Sequence, residues 1–287
     1  MKKYFITIIL LIFTVGCSIS GPIFFLDNPT DTTIQVEIDK IKYVIEPNKF
    51  EKLRLKAGEH NMKLSNGKEV NFIVYSDSKG GIINPTRSDY IFVHVAYAVK
   101  GQEKSFRPMG ENITIDGVEY DGPFGIANDL IIDKNAKKWK YNIHTPFPDK
   151  ETTSDMNTKG NIRTKIFTKN EFINFFEAET GTQGYYEANK VSSEKPVLEE
   201  EKETLIPETP NFKSPEVKKY AEEIINLDKE YGVTENPGRQ RKIRSEFKKA
   251  WKNYVESLMK SDSSDLELSN KFTTSNLGRG VIVKPLN

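Results

Sequence analysis

The sequence predicts a mostly β N-terminal region, folded as an antiparallel β-sandwich, followed by a C-terminal α-helical hairpin. From residue 22 onward, apolar and polar residues alternate in short runs, which is the period of a half-buried strand. Beyond residue 212 the apolar residues recur every three or four positions, which is the period of an amphipathic helix. A stretch rich in Glu, Lys and Pro at 191–211 separates the two patterns and marks the best domain boundary.

The first part of the β region consists of short apolar runs joined by turn residues. Ile34–Ile38 places its apolar side chains on one face, as expected of a strand that covers a core. The run Tyr90–Val99 is largely apolar on both faces, which predicts a central strand. Asn66-Gly67 predicts a hairpin with a type I′ turn, because both residues tolerate the positive φ that this turn requires.

Three short motifs in this part resemble a known module. They are Asn28-Pro29-Thr30, the strand pattern Ile34–Asp39, and Ala57-Gly58-Glu59-His60. Together they resemble the small β-sandwich modules of the PEGA type. The resemblance implies a binding or spacer module without a catalytic centre.

The second part of the β region adds more short strands and one helix. Aromatic residues at every second position near Trp139 are expected to fill a core, and the polar stretch Asp149–Asn161 is expected to be an exposed loop. Thr168-Lys169-Asn170-Glu171 is a capping box, in which the Thr and Glu side chains each satisfy a free backbone amide. It predicts one short helix that ends at Gly181, within a β-rich domain of residues 22–190.

The C-terminal part begins after a stretch with too few apolar residues to form a core. Residues 191–211 are therefore expected to be a disordered linker. Ser214-Pro215 and Asn236-Pro237 each supply an N-cap and a proline at the first helical position, so they begin the two helices of a hairpin within 212–262. Residues 263–287 are expected to be a loose tail, with Gly280–Val283 as a candidate edge strand.

The N-terminus has the layout of a secretory signal peptide, with two lysines, a short apolar run and a small residue before a cysteine. Thr14-Val15-Gly16-Cys17 resembles the lipobox of bacterial lipoproteins, with Thr14 where that family usually has Leu. The resemblance implies that residues 1–16 are removed and that Cys17 carries the acyl chains, palmitate among them. Residues 17–21 would then be a lipidated tether. Ser18 resembles the outer-membrane type of sorting signal, which implies a location at the outer membrane facing the periplasm.

Global composition favours neither nucleic acid nor a disulfide-stabilised fold. Lys and Arg total 42 against 41 Asp and Glu, so the formal net charge is only +1. A nearly neutral chain lacks the electrostatic footprint of a nucleic-acid-binding protein. Cys17 is the only cysteine, so stability must rest on apolar burial.

The second predicted helix carries a set of basic residues that are weak candidates for binding a partner. These are Arg239, Arg241, Arg244 and Lys248. Bases in the first turn oppose the helix dipole, which suggests that they have a purpose. A protein, peptidoglycan or anionic lipid would each be a suitable partner. The alternative is a solvated face opposite the apolar stripe.

No motif identifies a catalytic or metal site. His60, His94 and His144 are the only histidines and lie in separate segments, without the His-Glu-x-x-His spacing of a metal site. Ser-x-x-Lys recurs, for example at Ser65, Ser76 and Ser257, as expected by chance in a chain rich in Ser and Lys, and Lys-Thr-Gly does not accompany it. We therefore assign no catalytic residue and predict no metal and no cofactor.

The sequence therefore predicts a lipid-anchored periplasmic binding lipoprotein without catalytic activity that engages a protein partner. An immunity-type inhibitor of a toxic effector is one concrete form of this role. One alternative is a structural or assembly lipoprotein that binds peptidoglycan or an envelope machine. A second alternative is a hydrolase whose site no motif reveals.

Overall fold

The computed structural model describes residues 21–105, 108–150, 160–191, 209–270, 272, 274 and 276–284. The predicted signal peptide, Cys17 and most of the predicted linker lie outside these residues. In the part of the chain that the structure describes, no helix combines the length and the apolar composition that a bilayer crossing requires.

Strands dominate the chain up to residue 168, and helices dominate it afterwards. The strands are β1 (Ile23–Asn28), β2 (Ile34–Ile38), β3 (Ile41–Ile45), β4 (Lys49–Arg54), β5 (Gly58–Leu64), β6 (Glu69–Val74), β7 (Gly81–Ile83), β8 (Tyr90–Ala98), β9 (Glu111–Ile115), β10 (Val118–Ala127), β11 (Ile131–Asp133), β12 (Gly160–Thr168) and β13 (Val281–Val283). The helices are α1 (Lys134–Lys137), α2 (Lys169–Thr180), α3 (Tyr185–Asn189), α4 (Pro215–Val233), α5 (Pro237–Leu258) and α6 (Ser263–Ser269).

The strands form three sheets. Sheet A has the order β11-β7-β1-β4, sheet B the order β13-β6-β5-β2-β3, and sheet C the order β12-β8-β10-β9. The β1–β7 pair in sheet A is parallel, whereas sheets B and C are antiparallel throughout.

Sheet A lies between the other two sheets. Phe24 and Leu26 of β1 pack into a core shared with sheet B, whereas Phe25 packs against a cluster on the side of sheet C. Ile83 and Ile82 divide in the same way between the two sides. Because successive side chains of a strand point to opposite faces, a strand buried on both sides needs apolar residues at every position. Sheets A and B therefore form the predicted β-sandwich, and sheet C adds a third layer.

Helices cover the two outer faces of this stack. On sheet C, Ile91 and Phe167 pack against Phe172 of α2. On sheet B, Ile73 and Tyr75 pack against the hairpin α4–α5. The fold class predicted from the sequence is confirmed, and the hairpin docks on the β region.

The capping signals in the sequence act as predicted. Thr168 and Glu171 form the capping box of α2, and Gly181 ends that helix with φ 69°. Ser214 and Asn236 accept hydrogen bonds from the first turns of α4 and α5, each followed by proline.

Two local predictions in the β region need correction. The described part of this region holds three α-helices and not one, because α1 and α3 span only four and five residues and are too short to show an apolar period. The hairpin at Asn66-Gly67 exists, but only Gly67 has positive φ in that turn. The type I′ geometry occurs instead at Asp39-Lys40, with φ of 50° and 66°.

The segment 263–287, predicted to be a loose tail, contains α6 and the edge strand β13. Buried carboxylates on other elements explain why this polar segment is ordered. Asp228 accepts from the backbone N–H of Leu277 at 2.6 Å, and Asp133 accepts from that of Gly280 at 2.7 Å. Within the segment, Asp265 accepts from the N–H of Lys213 at 2.8 Å. These bonds between distant residues leave no periodic signal in the sequence.

Candidate functional site

A groove with a volume of about 780 Å³ opens on the outer face of sheet C. Its floor is formed by β8 and β12, one wall by α2, and the other wall by the loop His144–Asp149. The side chains that line it include Tyr97, His144, Phe147, Asp149, Lys165, Phe167, Glu171, Asn174, Phe175 and Glu179. We refer to this feature as the groove.

The sequence builds the groove by placing α2 directly after β12. Strand β12 pairs with β8 along its whole length, from Gly160 opposite Ala98 to Thr168 opposite Tyr90. Thr168 is both the last residue of β12 and the N-cap of α2. The chain therefore turns from the sheet into a helix that lies beside the floor.

Phe147 lies at the centre of an aromatic cluster that lines the groove. Its ring centroid is 6.2 Å from that of Tyr97, 6.3 Å from that of Phe167 and 6.2 Å from that of Phe175. Phe167 is buried, whereas Tyr97, Phe147 and Phe175 are only partly buried. The groove therefore offers an apolar surface that solvent can still reach.

His144 ties the loop wall to the rest of the fold. Its Nε2 lies 3.3 Å from Asp27 Oδ1, and its Nδ1 lies 3.4 Å from Glu171 Oε1. The backbone N–H of His144 also donates to Glu171 Oε1 at 2.8 Å. The imidazole ring stacks on Phe50 with a centroid distance of 5.0 Å. A single side chain thus joins β1, α2 and the loop.

The two carboxylates keep the imidazole protonated. Hydrogen bonds to Asp27 and Glu171 raise the pKa of His144 to about 9, against the opposite effect of burial. Burial alone would raise the pKa of Glu171, but hydrogen bonds from His144 and from the Thr168 amide lower it to about 2. Both nitrogens of His144 face carboxylate acceptors, an arrangement that favours the protonated imidazole.

Lys165 places an ammonium group under the groove. The residue is 3% exposed, and burial lowers its pKa. Its Nζ donates to the carbonyl oxygens of Asn142 at 3.0 Å and Ile166 at 3.2 Å, and lies 4.0 Å from the ring centroid of Phe167. An ammonium has three N–H donors, so one has no hydrogen-bond acceptor among the residues that the structure describes.

The rim of the groove is acidic and exposed. Asp149 lies at the end of the loop wall and Glu179 near the end of α2, and both are solvent-exposed. Asn174 is also exposed on the helical wall. Together the groove presents aromatic surface, one inner donor and outer carboxylates. This combination suits the binding of a ligand that carries an apolar group, an acceptor and a cation.

The structure places the predicted partner-binding residues on α5, far in sequence from the groove. Arg239 forms ion pairs with Glu230 at 2.5 Å and Glu246 at 3.1 Å. Arg244 forms an ion pair with Asp77. Arg241 and Lys248 are exposed. Arg239 and Arg244 therefore have roles inside the chain, and only Arg241 and Lys248 of the four present their charge freely to solvent.

The remaining histidines make local contacts. His60 Nδ1 lies 2.6 Å from Asp39 Oδ2, and His94 Nδ1 lies 2.8 Å from Thr164 Oγ1. Over the described ranges, no three His, Cys, Asp or Glu side chains are grouped as a metal ion would require. Cys17, the predicted lipidation site, lies outside these ranges.

The groove itself was missed by sequence reasoning. The sequence predicts a loop over Asp149–Asn161, but β12 begins inside that stretch at Gly160, and the sequence does not predict this strand. Ile162, Ile166 and Phe167 were a partial signal for that strand, but Lys165 occupies a buried position where an apolar residue is expected. The capping box after it was the one feature that located a wall of the site.

Comparison with known proteins adds no family assignment. No family model matches the chain, and neither curated proteins nor solved structures show significant similarity to it.

Proposed function

We propose that this protein is a lipid-anchored lipoprotein of the bacterial envelope that binds a segment of a protein partner in the groove and has no catalytic activity. One observation carries the binding assignment. The aromatic cluster around Phe147 remains partly exposed beside the buried ammonium of Lys165 and the exposed carboxylate of Glu179. Apolar grooves with a few convergent polar groups are the usual form of a binding site.

A polypeptide segment matches the three kinds of group in the groove. An apolar side chain would contact the rings of Phe147 and Phe175. A backbone carbonyl would accept the remaining N–H of Lys165, and a basic side chain would approach Glu179 and Asp149. The partner segment is therefore expected to combine an apolar residue with a Lys or Arg.

A binding role rather than catalysis agrees with the state of the groove's histidine. His144 is held as an imidazolium between Asp27 and Glu171, so at neutral pH it does not accept a proton from a nucleophile. The contacts of His144 with Asp27 and Glu171 instead fix the loop wall in place. An immunity-type inhibitor of a toxic effector is one form that this role can take.

Site-specific crosslinking tests the groove. A photoreactive residue replaces Asn174 on the helical wall or, as a control, Glu222 on the exposed side of α4. We expect a discrete crosslinked protein from position 174 only. The substitution Glu179→Lys should remove that product, whereas a Lys at position 222 should leave the position 174 product unchanged. A product that survives Glu179→Lys, or no product from position 174, contradicts binding in the groove.

A separate experiment tests the anchor. The lipobox Thr14-Val15-Gly16-Cys17 predicts that labelled palmitate is incorporated into the chain. Cys17→Ala should abolish the label and Cys17→Ser should do the same, while an unlabelled wild-type chain contradicts lipidation. Because this readout does not involve the groove, failure of the anchor and failure of partner binding are distinguishable.

A further inference from the structure

One side of α5 carries basic residues that point away from the hairpin core, with exposed apolar residues beside them. Arg241, Lys248 and Lys252 are exposed and follow one another at intervals of seven and four residues. At 3.6 residues per turn these intervals place the three side chains on one side of the helix. Met259, seven residues after Lys252, continues the same line. We call these four residues together with Trp251 the α5 stripe.

The charge on α5 is strongly one-sided. The helix has seven basic residues and two acidic ones. Arg239 and Arg244 form ion pairs with carboxylates of the chain. Lys252 Nζ lies 3.7 Å from Glu256 Oε1. Arg241 and Lys248 form no ion pair with any residue that the structure describes. The stripe therefore carries uncompensated positive charge.

The apolar members of the stripe are large and exposed. Trp251 is 40% exposed and Met259 is 80% exposed. The indole of Trp251 is held in place by stacking on Phe247, at a centroid distance of 5.8 Å, and on Phe272, at 6.3 Å. A tryptophan at the edge of an apolar cluster and beside lysines is typical of a membrane–water interface.

We propose that the α5 stripe binds an anionic lipid surface. Basic residues next to a bilayer are attracted by acidic head groups, and Trp and Met insert between them. The stripe lies on an outward-facing helix and not in a groove, so it suits a broad surface better than a single extended segment. Lipid contact through α5 would orient the molecule on its membrane, which the lipid on Cys17 alone would not do. The α5 stripe is a different surface from the groove, so lipid binding by the stripe does not depend on partner binding in the groove.

Quenching of Trp251 by lipid tests this inference. The mature chain is mixed with vesicles of phosphatidylglycerol and phosphatidylcholine whose acyl chains carry bromine, which quenches nearby indoles. Trp139 is 4% exposed and acts as an internal emitter that the lipid does not reach. We expect strong quenching of the Trp251 emission with anionic vesicles, its loss at high salt, and no quenchable fraction in Trp251→Phe.

Charge reversal supplies the matched control. Reversing Arg241, Lys248 and Lys252 to Glu should weaken the affinity for anionic vesicles, measured by the quenching, by a factor on the order of 100 or more. The control reverses Lys213, Lys218 and Lys229, three exposed lysines at or on α4, to Glu and should leave it unchanged. An acyl chain on Cys17 would attach the protein to any vesicle, but quenching reports only the contact of Trp251 with lipid. The outcome therefore does not depend on whether Cys17 is lipidated.

Three results would overturn the inference. Equal quenching by vesicles of phosphatidylcholine alone would show that the charges have no role. Quenching that survives reversal of the α5 stripe would assign the contact to another surface. Absence of quenching would show that the stripe does not contact lipid. Binding of soluble polyglutamate would then identify the stripe as a site for an acidic polypeptide, and no binding would identify it as a solvated face.

Discussion

The rings of Tyr75 and Tyr231 stack with their centroids 4.1 Å apart, and the Tyr75 hydroxyl donates to the carbonyl oxygen of Tyr231 at 2.6 Å. Both side chains are fully buried. Tyr75 follows strand β6 of sheet B, and Tyr231 lies near the end of α4, so this contact joins the β region to the helical hairpin. Gln240 adds to it by accepting from the backbone N–H of Ser76 at 3.0 Å.

Replacing Arg244 by Met should weaken this docking. Arg244 pairs with Asp77, and its Nε donates to the Tyr231 hydroxyl at 2.9 Å. Hydrogen bonds to charged groups contribute about 1.5–3 kcal/mol, so Arg244→Met should lower the free energy of unfolding by about that amount. Arg241→Met is the matched control on the same helix and should change it by less than about 0.5 kcal/mol. Urea unfolding of both variants measures the difference, and equal effects would contradict the docking role.

The stability of the groove wall should depend on pH. The pKa of His144 lies near 9, above its ordinary value of 6.5, so its stabilising effect is complete below pH 6.5 and is lost as the pH rises through 9. The pKa of Glu171 lies near 2, below its ordinary value of 4.5, so its effect is present above pH 4.5 and is lost as the pH falls toward 2. The cluster should therefore stabilise the fold most between about pH 4.5 and 6.5.

The variant His144→Asn isolates the histidine. Asn tolerates the positive φ of 55° at this position, so the backbone is retained while the charge is lost. The difference in unfolding free energy between wild type and variant should be larger at pH 5.5 than at pH 9.5. A difference that stays constant across this range would show that the ring acts only by packing on Phe50.

The parts of the fold that could be predicted are those set by local sequence. The period of two in Ile34–Ile38, the capping box at Thr168 and the proline-led helix starts at Pro215 and Pro237 depend on neighbours a few residues apart. Each is visible in a single sequence because the physical cause and its effect occupy the same short stretch.

The parts that could not be predicted depend on contacts between distant residues. The sequence does not show that His144 would lie between Asp27 and Glu171, because these residues come from three elements that meet only in the folded chain. Strand β12 was hidden because its buried Lys165 interrupts the apolar pattern, and its partners are the carbonyl oxygens of Asn142 and Ile166. The groove depends on these same contacts and was therefore missed as a whole.

A glycine at residue 80 should be required for the approach of two strands. Gly80 has φ +81°, and a Cβ there would lie 1.8 Å from the carbonyl oxygen of Ile23 in β1. Gly67 has nearly the same φ, +84°, but a Cβ there would meet nothing within 4 Å. In both Ala variants a residue with a Cβ must adopt the left-handed conformation, which costs about 1–2 kcal/mol of stability. In Gly80→Ala the Cβ also clashes with the backbone, which costs about a further 1–3 kcal/mol.

Thermal or urea unfolding of the two variants separates these causes. Gly67→Ala should lower the free energy of unfolding by about 1–2 kcal/mol and Gly80→Ala by about 2–5 kcal/mol. Similar losses in both would show that β1 and the residue 80 turn have room to separate, and that only the backbone conformation matters.

Removing the hydroxyl groups of two buried tyrosines should change the free energy of unfolding in opposite directions. The ring of Tyr120 packs edge-to-face against Phe172, Phe176 and Tyr185. Its hydroxyl is buried and has no hydrogen-bond partner among the residues that the structure describes. The hydroxyl of Tyr90 donates to Asp27 Oδ2 at 2.6 Å. Neither side chain is exposed to solvent, so the same change to Phe removes a buried hydroxyl from each.

Burying a hydroxyl without a partner costs about 1–3 kcal/mol, so Tyr120→Phe should raise the free energy of unfolding by on the order of 1 kcal/mol. Tyr90→Phe should lower it by about 1.5–3 kcal/mol, because a buried carboxylate loses a donor. Asp27 is also an acceptor for His144, so the Tyr90 variant should loosen the groove wall, which a weaker crosslink from position 174 would report. If both variants lose stability equally, the Tyr120 hydroxyl has a partner and the contrast between the two sites is wrong. Opposite signs would assign the difference to the hydrogen bond that the Tyr90 hydroxyl makes and the Tyr120 hydroxyl lacks.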